Sequence, residues 1–281
     1  MMKNKEMYSI GQVEKICKVT KKALRYYDKM NILSPDMVRD DNGYRYYSKQ
    51  SMLYVPIIKY YKQTGFKLEE MKDLLDGTTY DVCEKTFRNK IDDLKEIQKE
   101  VQLKLQSLLD WYQLVIEAQC VLEKNYNEVC MKYIENDRLL YLDQVFEYDY
   151  MDSIINTEFT NYVQDTKNAI TGPVIIKYDS FGHKINGQCK KARIMQKKLL
   201  PCDEEKLVDF GGCMMVSCYH IGDHETINNT YDKILCWIEK HGYECDESSY
   251  ERYVVDYWTI KNKDKYVTEI LIKIKNRKLI K

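Results

Sequence analysis

The sequence predicts an α+β protein in three parts: a helix-and-hairpin domain, a long connecting helix, and a C-terminal α+β domain of two β-α-β-β repeats. Three observations predict it. Up to residue 76 the apolar residues recur at helical spacing behind clear capping residues, interrupted once by a hairpin signature. Over 80–125 they follow a heptad. From 127 onward they shift to alternation, with two helical stretches set between strands.

Composition bounds what such a chain does. Its 281 residues suffice for about two domains of ~100–200 residues each. Hydrophobic residues at 44% can build real cores, while 31% charged residues with only 11 glycines and 4 prolines favour helix. No apolar run approaches the ~18–20 residues of a membrane span. The opening MMKNKEMYS lacks the apolar core of a secretory signal, so a cytoplasmic protein is expected. The 44 basic and 44 acidic residues cancel, so overall charge names no partner. The ten cysteines form no C-x-x-C pair and share no zinc-type spacing with the four histidines, so neither a metal nor a cofactor is expected. Scattered thiols of this kind are usually small buried hydrophobes. Tyrosine is frequent at 25, alongside abundant Lys, Ile and Asn, so a tyrosine counts only where its position is informative.

In the first part (8–76), Ser9 with Gln12 forms a capping box, and Ile10, Val13 and Ile16 follow at helical spacing. Thr20 caps a second helix, 21–30, whose inward face is Ala23, Leu24 and Tyr27. Lys21, Lys22, Arg25 and Tyr26 are left outward. From Lys15 to Lys29 six basic residues stand against one acid, Asp28, which fits a phosphate-binding surface and equally a solvated lysine face. Two short helices with cations early in the second make a helix-turn-helix, whose second helix enters the major groove of duplex DNA. Asp41-Asn42-Gly43 then marks a tight hairpin, with Asn-Gly supplying positive φ angles between arms 37–40 and 44–47. Gly43, Tyr44, Arg45 and Tyr46 bring backbone, a guanidinium and phenols to this wing, groups suited to phosphate. Ser48 caps a third helix reaching about Gly65, and a fourth covers 68–75.

Leu24-Arg25-Tyr26-Tyr27-Asp28, then Gly43-Tyr44-Arg45-Tyr46-Tyr47-Ser48, then Gly65-Phe66 with Leu68, Glu70 and Lys72, resembles the MerR family of transcriptional regulators. The resemblance covers this whole domain without a gap. It implies a homodimer on double-stranded promoter DNA that distorts an overlong spacer so that RNA polymerase can use it. The second helix and the wing together give the expected DNA-contact set Thr20, Lys21, Lys22, Arg25, Tyr26, Gly43, Tyr44, Arg45 and Tyr46.

In the second part (80–125), one heptad column is Ile91, Gln98, Leu105, Tyr112 and Gln119, and the other is Leu94, Val101, Leu108, Val115 and Leu122. This is a coiled-coil pattern, with a helix packed on its own domain as the plain alternative. Leu103, Leu109, Trp111 and Ile116 widen the stripe, so a further packed surface is expected. At ~1.5 Å per residue a helix of about 40 residues spans roughly 60 Å, enough to separate two DNA-binding heads.

In the third part (127–281) the expected order is strand 138–146, helix 152–168 and strands 174–178 and 190–199, then strand 212–219, helix 224–241 and strands 250–258 and 266–275. The arrangement, with YERYVVDYW and YVTEILIKI, resembles the GyrI-like effector-binding domain of the multidrug-sensing (BmrR-type) branch. Residues 178–212 carry no motif. Alternation puts Glu251, Tyr253, Val255 and Tyr257 on one strand face. A carboxylate among aromatic neighbours needs a cationic partner when buried. A pocket with one or two acids and tyrosine rings suits a lipophilic cation. The resemblance implies that Glu251 and Glu269 line it, with Tyr253, Tyr257, Tyr178 and Tyr219 as further ligand-binding candidates. The plain alternative is a strand-edge glutamate among half-buried tyrosines.

No catalytic motif is present: no G-x-S-x-G, H-E-x-x-H or glycine-rich phosphate loop. A ligand-responsive regulator is therefore expected, not an enzyme. Two other readings stay open. One is a thiol or metal sensor using Cys120 and Cys130, the other a ligand-hydrolysing domain with Glu251 and Glu269 as its carboxylate pair.

Overall fold

A computed structural model describes residues 6–75, 79–154 and 156–277. The chain divides into two compact units, Met1–Gln98 and Lys99–Lys281.

The N-terminal unit begins with β1 (Met7–Ser9), which leads into α1 (Ile10–Cys17). Ser9 and Gln12 cap α1 reciprocally: the Ser9 amide donates to Gln12 Oε1 at 2.8 Å, and Ser9 Oγ accepts from the Gln12 amide. Thr20 Oγ1 accepts from the Ala23 amide at 3.1 Å and starts α2 (Lys21–Lys29). The hairpin pairs β2 (Met37–Val38) with β3 (Arg45–Ser48), and among the described residues a three-stranded sheet of order β1-β3-β2 results. β1, absent from the sequence reading, joins because Tyr8 pairs with Tyr47 and Ser9 with Tyr46.

The hairpin turn is wider than Asn-Gly suggests. The Arg39 amide donates to the Tyr44 carbonyl at 2.9 Å, and only Gly43 (φ 65°) enters the left-handed region. Asn42 Oδ1 instead accepts from the Tyr44 amide at 3.0 Å, so the asparagine acts through its side chain rather than its φ angle.

The expected third helix is two: α3 (Lys49–Met52), capped by Ser48, and α4 (Tyr54–Gln63). Pro56 has no amide hydrogen to give to the preceding turn, which places it in the first turn of a new helix. α5 (Leu68–Leu75) and the start of α6 (Tyr80–Lys124) complete the unit. Its core includes Val13, Leu24, Tyr27, Tyr47, Val55, Ile58, Phe66 and Met71, with Phe87 of α6 edge-on to Phe66 at 5.5 Å. Each such buried aliphatic or aromatic side chain contributes about 1.5–3 kcal/mol.

The unit boundary falls inside α6, so Lys99–Lys124 of that helix goes with the C-terminal unit. There it packs through Trp111, Leu114, Ala118 and Val121. Leu109 and Ile116, expected in the packed stripe, are exposed, because the buried residues recur three and four apart from Leu114 and leave those two on another face.

The rest of the unit runs β4 (Cys130–Ile134), β5 (Asp137–Val145), α7 (Tyr150–Ile154), α8 (Thr157–Asp165), β6 (Val174–Tyr178), α9 (Phe181–Ile185), β7 (Lys191–Lys197), β8 (Leu207–Phe210), β9 (Cys213–Ile221), α10 (Asn228–His241), β10 (Tyr243–Val255) and β11 (Val267–Arg277). Among the described residues, these strands form one antiparallel sheet of order β4-β9-β11-β10-β6-β7-β5-β8. The two expected repeats are β5-α8-β6-β7 and β9-α10-β10-β11. Counted outward from the central β6–β10 pair, each contributes its second, third and first strand. α8 and α10 cover one face through Phe159 and Val163, and through Tyr231 and Ile234. Leu114, Ala118 and Val121 of α6 pack with Val254, Val255 and Val267 on the other.

Candidate functional site

In the C-terminal unit, the central pair β6–β10 carries a buried carboxylate. Glu251 is fully buried and pairs across the sheet with Ile176 of β6 and Ile270 of β11. Alternation brings Tyr253 and, through the Ser249–Tyr178 pair, Tyr178 to the same face. The Tyr253 hydroxyl donates to Glu251 Oε2 at 2.6 Å, and that of Tyr178 at 3.4 Å. From α10, the Tyr231 hydroxyl donates to Glu251 Oε1 at 3.0 Å.

The cation that a buried glutamate requires comes from the chain itself. Lys184 of α9 is 1% exposed, and its ammonium lies 2.6 Å from Glu251 Oε1. It also lies over three rings: Tyr231 at 4.4 Å, Tyr178 at 5.5 Å and Tyr150 at 5.7 Å. Burial pushes the Glu251 carboxyl up, but the charge and close contact of the Lys184 ammonium, with the Tyr253 hydroxyl after them, outweigh burial and the net shift is downward. Although ammonium and carboxylate are close, the ammonium makes no well-directed hydrogen bond; charge and ring faces hold it. Neither Lys184 nor Tyr231 was singled out from sequence. Tyr231 had a signal, lying between Ile227 and Ile234 on the inward face of α10.

Two adjoining recesses lead toward this cluster. The outer, about 420 Å³, is lined by residues that include Glu147, Tyr148, Tyr150, Glu225, Tyr257 and Tyr266. The inner, about 310 Å³, shares Tyr148, Tyr150 and His224 with it and reaches Lys184. His224 stacks on Tyr150 at 5.0 Å, and its Nε2 lies 3.1 Å from Thr268 Oγ1. Burial is the main cause that lowers the His224 pKa, to about 4, against an opposing pull from Glu251. The ring is therefore neutral at neutral pH.

This shift has a testable sign. Between pH 6.5 and about 4 the unfolded chain protonates His224 while the folded protein does not, so stability falls on acidification. The loss is on the order of 3 kcal/mol. Asp256, pushed up to about 6 mainly by burial, acts with the opposite sign over part of this window. The expected result is thus a difference: urea midpoints of a His224→Gln variant should fall less with acidification than those of the wild type. Parallel pH curves for the two proteins would remove His224 from the account.

Other ligand candidates sit elsewhere. Glu269 pairs directly with Arg252 and Tyr219 in register, on the face opposite Glu251. Arg252 Nε donates to Glu269 Oε2 at 2.7 Å, and Lys132 and Ser217 hold Oε1. The same guanidinium binds Glu117 of α6, to which the Tyr219 hydroxyl donates at 2.8 Å. Glu251 and Glu269 therefore share no pocket and cannot act as a carboxylate pair on one substrate. Val255 also leaves the Glu251 face, because the register shifts between Tyr253 and Val255. Tyr257 lies beyond the strand, in a turn closed by the Asp256 carbonyl, and lines the outer recess.

In the N-terminal unit, Lys21, Lys22, Arg25 and Tyr26 are exposed on α2 opposite buried Leu24 and Tyr27. Thr20 spends its hydroxyl on the cap. Gly43 and Tyr44 are exposed on the hairpin, and Arg45 Nε donates to Asp28 Oδ2 at 2.9 Å, tying hairpin to α2. Arg39, missed from sequence, lies 5.5 Å over the Tyr46 ring. It belongs to the hairpin arm, where any arginine was a candidate.

Comparison with known proteins fits both units. Residues 8–78 match the MerR HTH family of regulatory proteins, and residues 189–275 match the GyrI-like small molecule binding domain. The chain carries a MerR HTH domain followed by a GyrI-like domain. The multidrug-efflux transporter 2 regulator of Bacillus subtilis is 24% identical over 96% of this chain and 97% of its own length. The multidrug-efflux transporter 1 regulator of that organism is 38% identical over 34% of this chain and 37% of its own. A solved EcmrR–DNA complex is 21% identical with a TM-score of 0.45, over 96% of this chain and 100% of that one. Among the described residues, no helix is long and apolar enough to cross a membrane. Nor is any group of three or more His, Cys, Asp or Glu arranged to hold a metal ion, and the ten cysteines are free.

Proposed function

We propose that this protein is a cytoplasmic, homodimeric transcriptional activator that a small lipophilic, aromatic and cationic molecule switches on. The carrying observation is the pairing, in one chain, of a MerR-type head with a tyrosine-lined cleft leading to a caged carboxylate. The domain plan is 8–76 for DNA, 80–125 for dimerisation and 127–281 for the effector. Ile91, Leu94, Val101, Leu105 and Leu108 are exposed in the single chain and supply an apolar seam for a second copy. The head grips double-stranded promoter DNA through Thr20, Lys21, Lys22, Arg25 and Tyr26 of the second helix and Gly43, Tyr44, Arg45 and Tyr46 of the wing. The dimer distorts the promoter spacer for RNA polymerase. The ligand meets Glu251, Tyr253, Tyr178 and Tyr257; Glu269 and Tyr219 are assigned instead to the bond between sheet and α6.

The head is tested by salt titration. Arg25→Ala should weaken promoter binding across sequences and lower the slope of log affinity against log salt by about 1 per head. Arg25 is exposed, so its loss leaves the fold intact. An unchanged slope would take Arg25 off the DNA. Arg45→Ala is the less clean variant, since it also cuts the tie to Asp28.

A further inference from the structure

Lys184 sits where a ligand's positive charge is expected. Its ammonium has one carboxylate, Glu251, at 2.6 Å and the faces of Tyr231, Tyr178 and Tyr150 around it, an arrangement that recognises cations through charge and ring quadrupoles together. We propose that Lys184 is a tethered competitor: it fills the cation cage of the ligand-free protein, and an aromatic cation binds by expelling its ammonium into the cleft. The proposal rests on the cationic-ligand reading given above.

Three features support expulsion over permanent pairing. The ammonium is buried beside Glu251 without a well-directed hydrogen bond, so its donors gain partners when they return to water. Its side chain lines the inner recess with Ile185, Gly187 and Asn228, so rotation of a flexible four-carbon stem gives it an exit. Finally, the outer recess carries Glu147, Asp149, Asp223 and Glu225 against Lys263, a negative mouth that concentrates incoming cations and receives the displaced ammonium.

Competition also sets selectivity. A small hydrated cation gains nothing over the lysine already in place. A permanently charged aromatic cation brings ring surface for Tyr148, Tyr150 and His224 and gives up less hydration, so it prevails. Every ligand's apparent affinity is lowered by the fraction of protein whose cage the lysine holds.

The test uses the full-length protein with 2-naphthyltrimethylammonium as probe and 2-naphthoate as its charge-reversed counterpart. Calorimetry should show the cation binding Lys184→Met at least about tenfold more tightly than wild type. In the wild type, trace acylation followed by peptide mass spectrometry should show Lys184 labelling rise when the cation saturates, with the exposed lysines as reference. Because this second measurement needs no variant, it decides the matter if Lys184→Met fails to fold. If the cation binds wild type while Lys184 labelling stays level or falls, or binds Lys184→Met no more tightly, the competitor role is wrong and the cationic reading stands. If neither protein binds the cation while wild type binds naphthoate, the cationic reading falls too, and Lys184 is the ligand's own partner.

Discussion

Glu251→Gln is expected to destabilise the C-terminal unit, with about 3–5 kcal/mol as the ceiling for a Lys184 charge left buried without its carboxylate and less to the extent that the ammonium swings into the cleft. Lys184→Met should cost a similar amount by stranding Glu251, whose three phenol donors solvate it but do not neutralise it. The double variant should cost far less than the sum, since no uncompensated charge remains. A coupling of about 0.5–3 kcal/mol is typical of contacting pairs. Tryptophan fluorescence suits the measurement: Trp111, Trp237 and Trp258 all lie in the C-terminal unit, so denaturant curves report on it alone. Additive single-variant costs would mean that the two charges, though adjacent, stabilise the fold independently.

Arg252→Ala should lower stability by about 3 kcal/mol or more, through the opposite face of the sheet. Glu269 is fully buried, and burial alone would push its carboxyl up; Arg252 foremost, then Lys132, turns the net shift downward. Without the guanidinium, Glu269 keeps one partly exposed lysine and a serine hydroxyl, while Glu117 keeps the Tyr219 phenol. Arg252→Lys should recover only part of the loss, since one ammonium cannot serve two carboxylates as the planar fork does. Hydrogen exchange gives the specific readout. Amides of α6 around Glu117 should lose protection in Arg252→Ala, whereas those of Ile176 and Ile270 beside Glu251 should keep it. Unchanged exchange in α6 would show that packing of Leu114, Ala118 and Val121 holds the helix without the arginine.

What the sequence revealed, and what it concealed, follows from how local each cause is. Ser9 with Gln12, Thr20, Ser48 and the 41–43 turn act within three or four residues of themselves, and all four mark real element boundaries. The repeat order was legible because each element carries its own period. β1 was hidden because three residues are too few to show alternation, and only pairing with Tyr46–Ser48 makes them a strand. The Glu251 face was read to its end as an unbroken alternation; the register shift after Tyr253 and the Asp256 turn ended it sooner. Lys184 was beyond reach. It lies in the motif-free stretch, and nothing beside it in sequence marks a lysine that will cross a domain core to a glutamate. The demand for a cation was legible in Glu251, but its source was not.

The alternation of β10 has a mechanical consequence. Glu251, in the cage, and Arg252, in the grip of α6, are successive residues, so their Cα atoms stand about 3.8 Å apart across one planar peptide. That plane does not bend cheaply. If exchange of cage occupants shifts or rolls the backbone at 251, the plane moves as a lever and the guanidinium beyond it travels too, with the Glu117 carboxylate at its tip. The strand thus offers a path from pocket to helix across one planar peptide, beside the Val254 and Val255 packing on α6.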